Sequence, residues 1–425
     1  VTASDRSALR LAVLTRSAFP LHGYGGLERH VHDLVRHLIE RNVSIELITR
    51  PPARVRPSPG AGEDWTADPR VQVHIVPYRT FPLAGRRGTT VIDRSTAYPM
   101  FGERAGRAAA RLATAGRVDA VYGLGASALG YARARRRHRR ETAPFVFNPQ
   151  GLEEFGATAP RRARLKRIAY LPLQRAVRTC AHAADRVIAT DRALEPAVLE
   201  HLAIPRDRVR VVPNGIDVRA ADRLADPAAG ARLRHQLSLA PRAALLLSAG
   251  RIEENKGLHV LARALGAARS LPEWRWMHVG HGPFRARLER AIAEAGIGDR
   301  VVFAGRIEDQ ELHASYEAAT LFVHPTLYEG SSLVTLEAMA HRRAVVASAA
   351  GGLPDKVRPG VNGWLVPPGE AAALAAALEA ALAPDVDLGG MGAAGRAIVE
   401  REFAWTTIAG RLIELFHEVV EEARG

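Results

Sequence analysis

Cysteine is nearly absent from this chain: Cys180 is the single one among 425 residues. One thiol can close no internal disulfide, so the fold rests on its packed cores, and a reducing compartment, the cytoplasm, fits. Long apolar runs are missing too. No stretch reaches the roughly 18 residues that a membrane-spanning helix needs. The start, Val1 to Arg10, shows no apolar core of a signal peptide. Lysine is scarce: Lys166, Lys256 and Lys356 are the only lysines among 59 basic residues. The 16 histidines show no metal-ligand spacing. His30 and His32, two apart on an expected helix, point to different faces and are expected in the core or in solvent. No metal site is expected.

At 47% apolar and 24% charged residues the composition is that of a globular protein. The length exceeds what one core holds, so two domains are expected. The net charge of +14 leaves nucleic acid, an anionic membrane surface and phosphorylated substrates open as partners. Arginine supplies nearly all of it, and so strong a bias weakens any conclusion drawn from charge alone. Aromatic content of 6%, with no interleaving of aromatic and basic residues, argues against nucleic acid.

Along the chain, Leu9 to Leu14 reads as a strand, Gly25-Gly26-Leu27-Glu28 opens a helix, and Val43 to Ile48 is the next strand. This is a βαβ unit with a glycine pair at its strand-to-helix turn, the usual place for a ligand in a doubly wound sheet. Residues 51–70 read as a Pro- and Gly-rich loop. Further strands are expected at 71–76, 120–122, 145–147, 186–189 and 209–212. Pro213-Asn214-Gly215-Ile216-Asp217 is turn chemistry and marks the domain junction. A second alternating series has strands at 244–247, 276–279, 301–303, 321–323, 345–347 and 364–366, with helices over 370–383 and 405–422. The fold class is therefore α/β, two Rossmann-like domains over 1–213 and 214–404, with a ligand expected in the cleft between them.

The second series contains the richest stretch. The strand ending at Val323 leads through His324, Pro325 and a turn at Glu329-Gly330 into an apolar helix, with Ser331 and Ser332 suited to cap it. Such a helix start aims unpaired backbone amides at one point and favours an anion there. Glu329 stands before the helix and Glu337 two turns inside it, so two carboxylates flank that point. The arrangement suits a sugar nucleotide, with phosphates at the helix start and hydroxyl-bearing rings on either side. Upstream, Arg251 and Lys256 bracket a short loop after the strand 244–247. Two cations so placed can hold a diphosphate, one as a fork and one as a point charge; the alternative is two solvated surface cations.

Gly25-Gly26-Leu27-Glu28, Arg251 with Lys256-Gly257, and Glu329 with Glu337 together resemble the retaining family 4 glycosyltransferases of GT-B fold. Val211-Val212-Pro213-Asn214-Gly215-Ile216-Asp217 and Gly351-Gly352-Leu353-Pro354 with Gly360-Val361-Asn362-Gly363 are similar to that family too. The resemblance covers nearly the whole chain, more strongly in its second half. It implies metal-independent transfer of a sugar from a nucleotide-diphosphate sugar to an acceptor hydroxyl, with no cofactor. Arg251 and Lys256 would hold the diphosphate and stabilise the leaving nucleotide, joined by the backbone of Gly330, Ser331, Ser332 and Leu333. Glu337 would accept from the ribose hydroxyls, and Glu329 would sit by the transferred sugar. Gly25 and Gly26 would allow close approach of the first domain's backbone. Gly305-Arg306 and Gly280-His281-Gly282-Pro283 would border the base. The C-terminal helix, from about 405 to 425, would complete the first, acceptor-binding domain.

The sequence departs from the family twice. Gln150 stands where many members carry a histidine; it can hydrogen-bond a sugar but cannot titrate, so it would position the donor. Ser331-Ser332 replaces a usual Phe-Gly, which bears on sugar choice. Other motifs point less far. Asp385-Val386-Asp387 follows a proline rather than a strand and reads as an exposed linker, and Gly123 to Gly130 reads as a tight turn. Arg133 to Arg140, with six arginines and one histidine, and the basic stretch Arg161 to Tyr170 are either solvated faces or contacts to an anionic membrane surface, which leaves a peripheral position on the inner membrane face open. The rival functions are a nucleic-acid-binding protein and a nucleotide-sugar epimerase on the same fold. Base, sugar and acceptor (lipid, glycan or small molecule) stay open.

Overall fold

The computed structural model describes residues 8–23, 25–52, 64–80, 90–150, 152, 154–155 and 168–425, with the backbone alone for 90–93 and Arg140. The described residues form two compact units, Val1–Gly215 with Ile408–Gly425, and Ile216–Thr407.

The first unit is built on a seven-stranded sheet in the order β3-β2-β1-β4-β5-β6-β7. Its strands are β1 (Arg10–Leu14), β2 (Ser44–Thr49), β3 (Val71–Ile75), β4 (Ala120–Leu124), β5 (Phe145–Asn148), β6 (Arg186–Ala189) and β7 (Val209–Val211). All neighbours are parallel. A parallel sheet needs crossover helices and is covered on both faces, which is why β4 and β5 are buried at every position, with Asn148 the one polar amide at the end of β5. The helix Gly26–Ile39 crosses from β1 to β2 and the helix Thr90–Thr114 from β3 to β4. The second of these is one the apolar pattern does not announce, because Pro99 stands inside it.

The second unit carries a six-stranded sheet in the order β10-β9-β8-β11-β12-β13. Its strands are β8 (Ala244–Ala249), β9 (Trp274–Val279), β10 (Val301–Gly305), β11 (Leu321–His324), β12 (Val345–Ser348) and β13 (Gly363–Val366). Every observed strand lies within two residues of its expected span. In this sheet the order reverses between β8 and β11, and a reversal of that kind opens a crevice beyond the carboxyl ends of the two strands.

The helix Trp405–Arg424 closes the first unit with its later turns. Phe416 is fully buried and meets Tyr122 edge-on at 5.6 Å. Glu418 accepts from Arg186 at 2.7 Å and from Arg210 at 2.8 Å. The arginine cluster at 133–140 is partly structural. Arg135, only 4% exposed, forks onto Asp185, Arg139 joins the same carboxylate at 3.0 Å, and Arg133 pairs with Glu103 at 2.8 Å. Arg136 and Arg137 remain as exposed cations of the helix Leu129–Arg137. Residues 161–167 of the other basic stretch lie outside the described residues. Asp387 is the N-cap of the helix Leu388–Ile398, accepting from the Gly390 amide at 2.8 Å, so it has a structural task.

His30 and His32 are both buried. Burial lowers each from 6.5 to about 4, and nearby Arg36 also lowers His32. Trp65 donates its indole N–H to His32 Nδ1 at 3.0 Å, a bond that requires that nitrogen to be unprotonated.

Candidate functional site

The loops that follow β8 and β11 meet beyond the β8–β11 reversal. After β8 the chain turns at Gly250 (φ 130°) and again at Gly257 (φ 64°). A Cβ at Gly257 would stand 1.9 Å from the Pro325 carbonyl oxygen, so only glycine allows this approach. Asn255 fixes the contact from the other side, its carbonyl accepting from the Leu327 amide at 2.7 Å and from Thr326 Oγ1 at 2.9 Å. This places Lys256 against Glu329, with Nζ donating to Oε2 at 2.8 Å.

His324, the last residue of β11, donates from Nε2 to the same Glu329 oxygen at 2.8 Å. Its ring is buried and stacks on Phe322 at 6.2 Å. Burial would push the Glu329 carboxyl up, but the His324 hydrogen bond and the Lys256 charge outweigh it and hold it down at about 2. Glu329 is therefore a fixed anion at neutral pH. Its second oxygen, Oε1, and two of the three Lys256 protons take no partner among the described residues. The pair thus presents an acceptor and a cationic donor side by side.

The helix Leu333–Ala340 begins just beyond. Ser332 is its N-cap, with Oγ accepting from the Thr335 amide at 3.4 Å and bonding Thr335 Oγ1 at 2.9 Å. Ser331 does not cap; its hydroxyl accepts from Lys356 Nζ at 3.2 Å. The amides at Ser332 and Leu333 stand at the helix mouth, where intrahelical partners are lacking. Glu337 is 2% exposed and accepts from Tyr316 Oη at 2.8 Å. Any contact of Glu337 to a ribose is therefore shared with Tyr316, a partner that the sequence does not announce.

Arg251 is an exposed cation whose Nη2 lies 3.0 Å from Glu253 Oε1. It lines a cleft of about 400 Å³ with Gly280, His281, Gly282, Arg285 and Gly305. The glycines expected to border a base thus share one cleft with Arg251, while Arg306 beside them is exposed. Arg285 lies over the Phe303 ring, 3.3 Å from its centroid. Beneath the cleft a buried relay holds the Gly250 turn. Trp276 Nε1 donates to Ser248 Oγ at 2.8 Å, Ser248 Oγ lies 2.8 Å from His278 Nδ1, and His278 Nε2 lies 3.1 Å from the Gly250 carbonyl. A carbonyl only accepts, so Nε2 carries the proton and Nδ1 accepts from Ser248. Burial lowers His278 to about 4.

A pH dependence follows from these histidines. His30, His32 and His278 bind protons near 6.5 when unfolded and near 4 when folded. The unfolded chain binds more protons between those values, so their stabilisation is full above 6.5 and is lost as pH falls towards 4. Going from pH 7 to pH 5 is expected to cost about 2 kcal/mol per histidine. Urea midpoints at the two pH values check it, and His278→Phe should reduce the drop.

In the first unit, Gly25 has extended backbone (φ −138°, ψ 176°) and caps the helix Gly26–Ile39. A Cβ there would meet the Glu28 carboxylate at 2.6 Å, whereas above Gly26 there is open space. Glu28 in turn accepts from Ser17 Oγ at 2.7 Å. Gln150 adopts a left-handed backbone (φ 65°), uncommon for a side chain of this kind. Its amide donates to Asn148 Oδ1 at 2.9 Å, and its side-chain Nε2 is buried with no hydrogen-bond partner among the described residues.

Two parallel Rossmann-like sheets of seven and six strands, with this constellation at the reversal of the second, define the GT-B architecture. A family profile described as Glycosyltransferase Family 4 matches residues 24–220, and one described as Glycosyl transferases group 1 matches residues 243–384. The chain is 30% identical over 443 residues to a D-inositol 3-phosphate glycosyltransferase of Salinispora tropica, covering 98% of this chain and 86% of the relative. It is 33% identical over 299 residues to a GDP-mannose-dependent alpha-(1-6)-phosphatidylinositol monomannoside mannosyltransferase of Mycolicibacterium smegmatis, covering 61% and 75%. Sucrose-phosphate synthase of Thermosynechococcus elongatus superposes with a TM-score of 0.76 at 25% identity, over 97% of this chain and 100% of that one. Anabaena HepE in complex with UDP-glucose superposes with a TM-score of 0.68 at 22% identity, over 96% and 100%. The chain belongs to the family 4 glycosyltransferases, enzymes that draw on nucleotide sugars. Membership sets aside the nucleic-acid-binding and epimerase readings. No helix among the described residues is long and apolar enough to cross a membrane.

Proposed function

We propose that this chain moves a hexose from a nucleotide-diphosphate sugar to an acceptor hydroxyl, with retention at the anomeric carbon and without a metal. The observation that carries the reading is the meeting of Lys256 with Glu329 and His324 beside the mouth of the helix Leu333–Ala340. Lys256, Arg251 and the helix amides supply the positive potential that a departing diphosphate needs, in the role a divalent cation takes elsewhere. Glu329 Oε1 accepts from a sugar hydroxyl and fixes the transferred ring. With no titratable group at Gln150, the acceptor proton passes to the leaving phosphate, and Gln150 Nε2 positions the sugar. The second unit takes the donor and the first unit the acceptor.

The acceptor is proposed to bear a phosphate, free or in a lipid headgroup. Both curated relatives named above act on inositol compounds carrying one, by their names. At the carboxyl end of the first sheet, Arg16 follows β1 and lies 5.1 Å from the Tyr98 ring centroid, and Arg50 follows β2 and lies 5.7 Å from that of Tyr78. A lipid acceptor would bring the enzyme to an anionic membrane surface.

A thermal-shift series with UDP, GDP and ADP tests the donor site, because a ligand bound to the folded state raises the melting point by mass action. One diphosphate should stabilise the chain well above the others. Incubating its sugars with inositol phosphate or phosphatidylinositol should release free nucleotide only when the acceptor is present. An α-linked product from an α-linked donor supports retention, and an inverted product defeats it. Gln150→Ala should lower the transfer rate about tenfold, the scale of one lost hydrogen bond to a bound substrate; an unchanged rate removes Gln150 from the mechanism.

A further inference from the structure

Lys356 is one of three lysines and has no exposure at all. It ends the short helix Leu353–Lys356. Its ammonium donates to Ser331 Oγ at 3.2 Å and to the Gly352 carbonyl at 3.2 Å, and lies 5.4 Å from the Phe403 ring centroid. Asn362 Nδ2 donates to the Lys356 carbonyl at 3.0 Å and fixes the backbone that carries it. The preceding turn is clamped to the donor-site loop. A Cβ at Gly351 (φ 53°) would stand 1.8 Å from the Glu329 carbonyl oxygen, and the Gly352 amide donates to the Gly330 carbonyl at 3.0 Å. Lys356 is thus tied to the segment between Glu329 and the helix cap.

We infer that Lys356 is a positioning residue for the donor diphosphate, acting through the Ser331 hydroxyl. The inference rests on the proposed donor site at the mouth of the helix Leu333–Ala340. Ser331 is partly exposed and directly precedes the cap residue Ser332. An ammonium has protons and no lone pair, so Ser331 Oγ accepts from it and keeps its own proton for another acceptor. That acceptor is a phosphate oxygen of the donor, and the cation behind the hydroxyl strengthens the bond it donates. The Phe-Gly usual in the family at 331–332 could not serve: a phenylalanine offers an ammonium no oxygen. Ser331 and Lys356 fit one another as a pair.

The test compares nucleoside diphosphate with nucleoside monophosphate binding, by calorimetry, in wild type, Lys356→Met, Ser331→Ala and the double variant. UDP or GDP, whichever the wild type binds, is paired with UMP or GMP. Each single variant should weaken diphosphate binding about tenfold or more, the scale of one charge-assisted hydrogen bond. Monophosphate binding should change far less, and the double variant should lose no more than either single one. The melting point of each unliganded variant is read alongside, so that a loss of folding is told apart from a loss of diphosphate binding. Ser331 is partly exposed, so Ser331→Ala folds and reads out the relay even if Lys356→Met does not. Equal losses for both nucleotides, losses that add in the double variant, or wild-type diphosphate affinity in Ser331→Ala would overturn this inference alone. A wild type that binds no nucleoside diphosphate removes the donor site itself, and this inference with it.

Discussion

Lys256→Met is expected to lower kcat/KM for the nucleotide sugar by two to three orders of magnitude, the usual cost of removing one preorganised donor aimed at developing charge, roughly 100- to 1000-fold. Negative charge grows on the diphosphate as the sugar departs. Lys256 is anchored on one side by Glu329 at 2.8 Å, so in the proposed donor site its remaining protons would meet that charge without reorganising. Arg251 cannot replace it, being exposed and engaged with Glu253 at 3.0 Å. The measurement is nucleoside diphosphate released per unit time in the presence of acceptor, at several donor concentrations. If kcat falls together with kcat/KM, Lys256 acts in the transition state. A rise in KM with kcat intact would confine it to ground-state binding.

Glu329→Ala is expected to abolish measurable transfer and also to weaken the fold by on the order of 3 kcal/mol at pH 7. The buried carboxylate is the shared partner of Lys256 and His324, and its loss leaves a cation and an imidazole N–H facing each other with nothing between them. Glu329 falls from an ordinary 4.5 to about 2 in the folded chain. A depressed carboxyl stabilises above its unfolded value, and that contribution fades as pH drops from about 4.5 towards 2. The stability gap between wild type and Glu329→Ala should therefore be full at pH 6 to 7 and shrink sharply by pH 3. Urea titrations of both proteins at the two pH values decide it. A gap independent of pH would mean that Glu329 owes its place to packing and not to its charge.

The sheets were legible because each strand is a short apolar run between turn residues, and a doubly covered parallel strand shows that pattern without reference to the rest of the chain. Lys256 and Glu329 were each visible, as a rare lysine after a strand and as an acid before a capped helix. That they would grip one another was not. Their meeting depends on Gly257 sliding under the Pro325 carbonyl, a contact between loops from different strands. His324 stood at the head of that stretch, but nothing in its spacing assigned it a bond to Glu329. Its position five residues before Glu329, on the last rung of the strand, was the only available signal. Tyr316 lies far in sequence from Glu337, Ser248 from His278 and Lys356 from Ser331, and a side chain buried by tertiary contacts leaves no period or spacing to read. The arginines at 133–140 looked like one basic face because Asp185 and Glu103, which neutralise part of it, lie distant in the chain.

The helix Trp405–Arg424 packs Phe416 against Tyr122 and binds Arg186 and Arg210 through Glu418. Two stretches on either side of the second unit in sequence therefore complete one core. While the ribosome is still producing residues 216–404, the first unit lacks this helix, and Tyr122 has no Phe416 to pack against. A premature stop after residue 404 would leave every candidate site residue in the chain and take from Tyr122, Arg186 and Arg210 the partners that this helix brings.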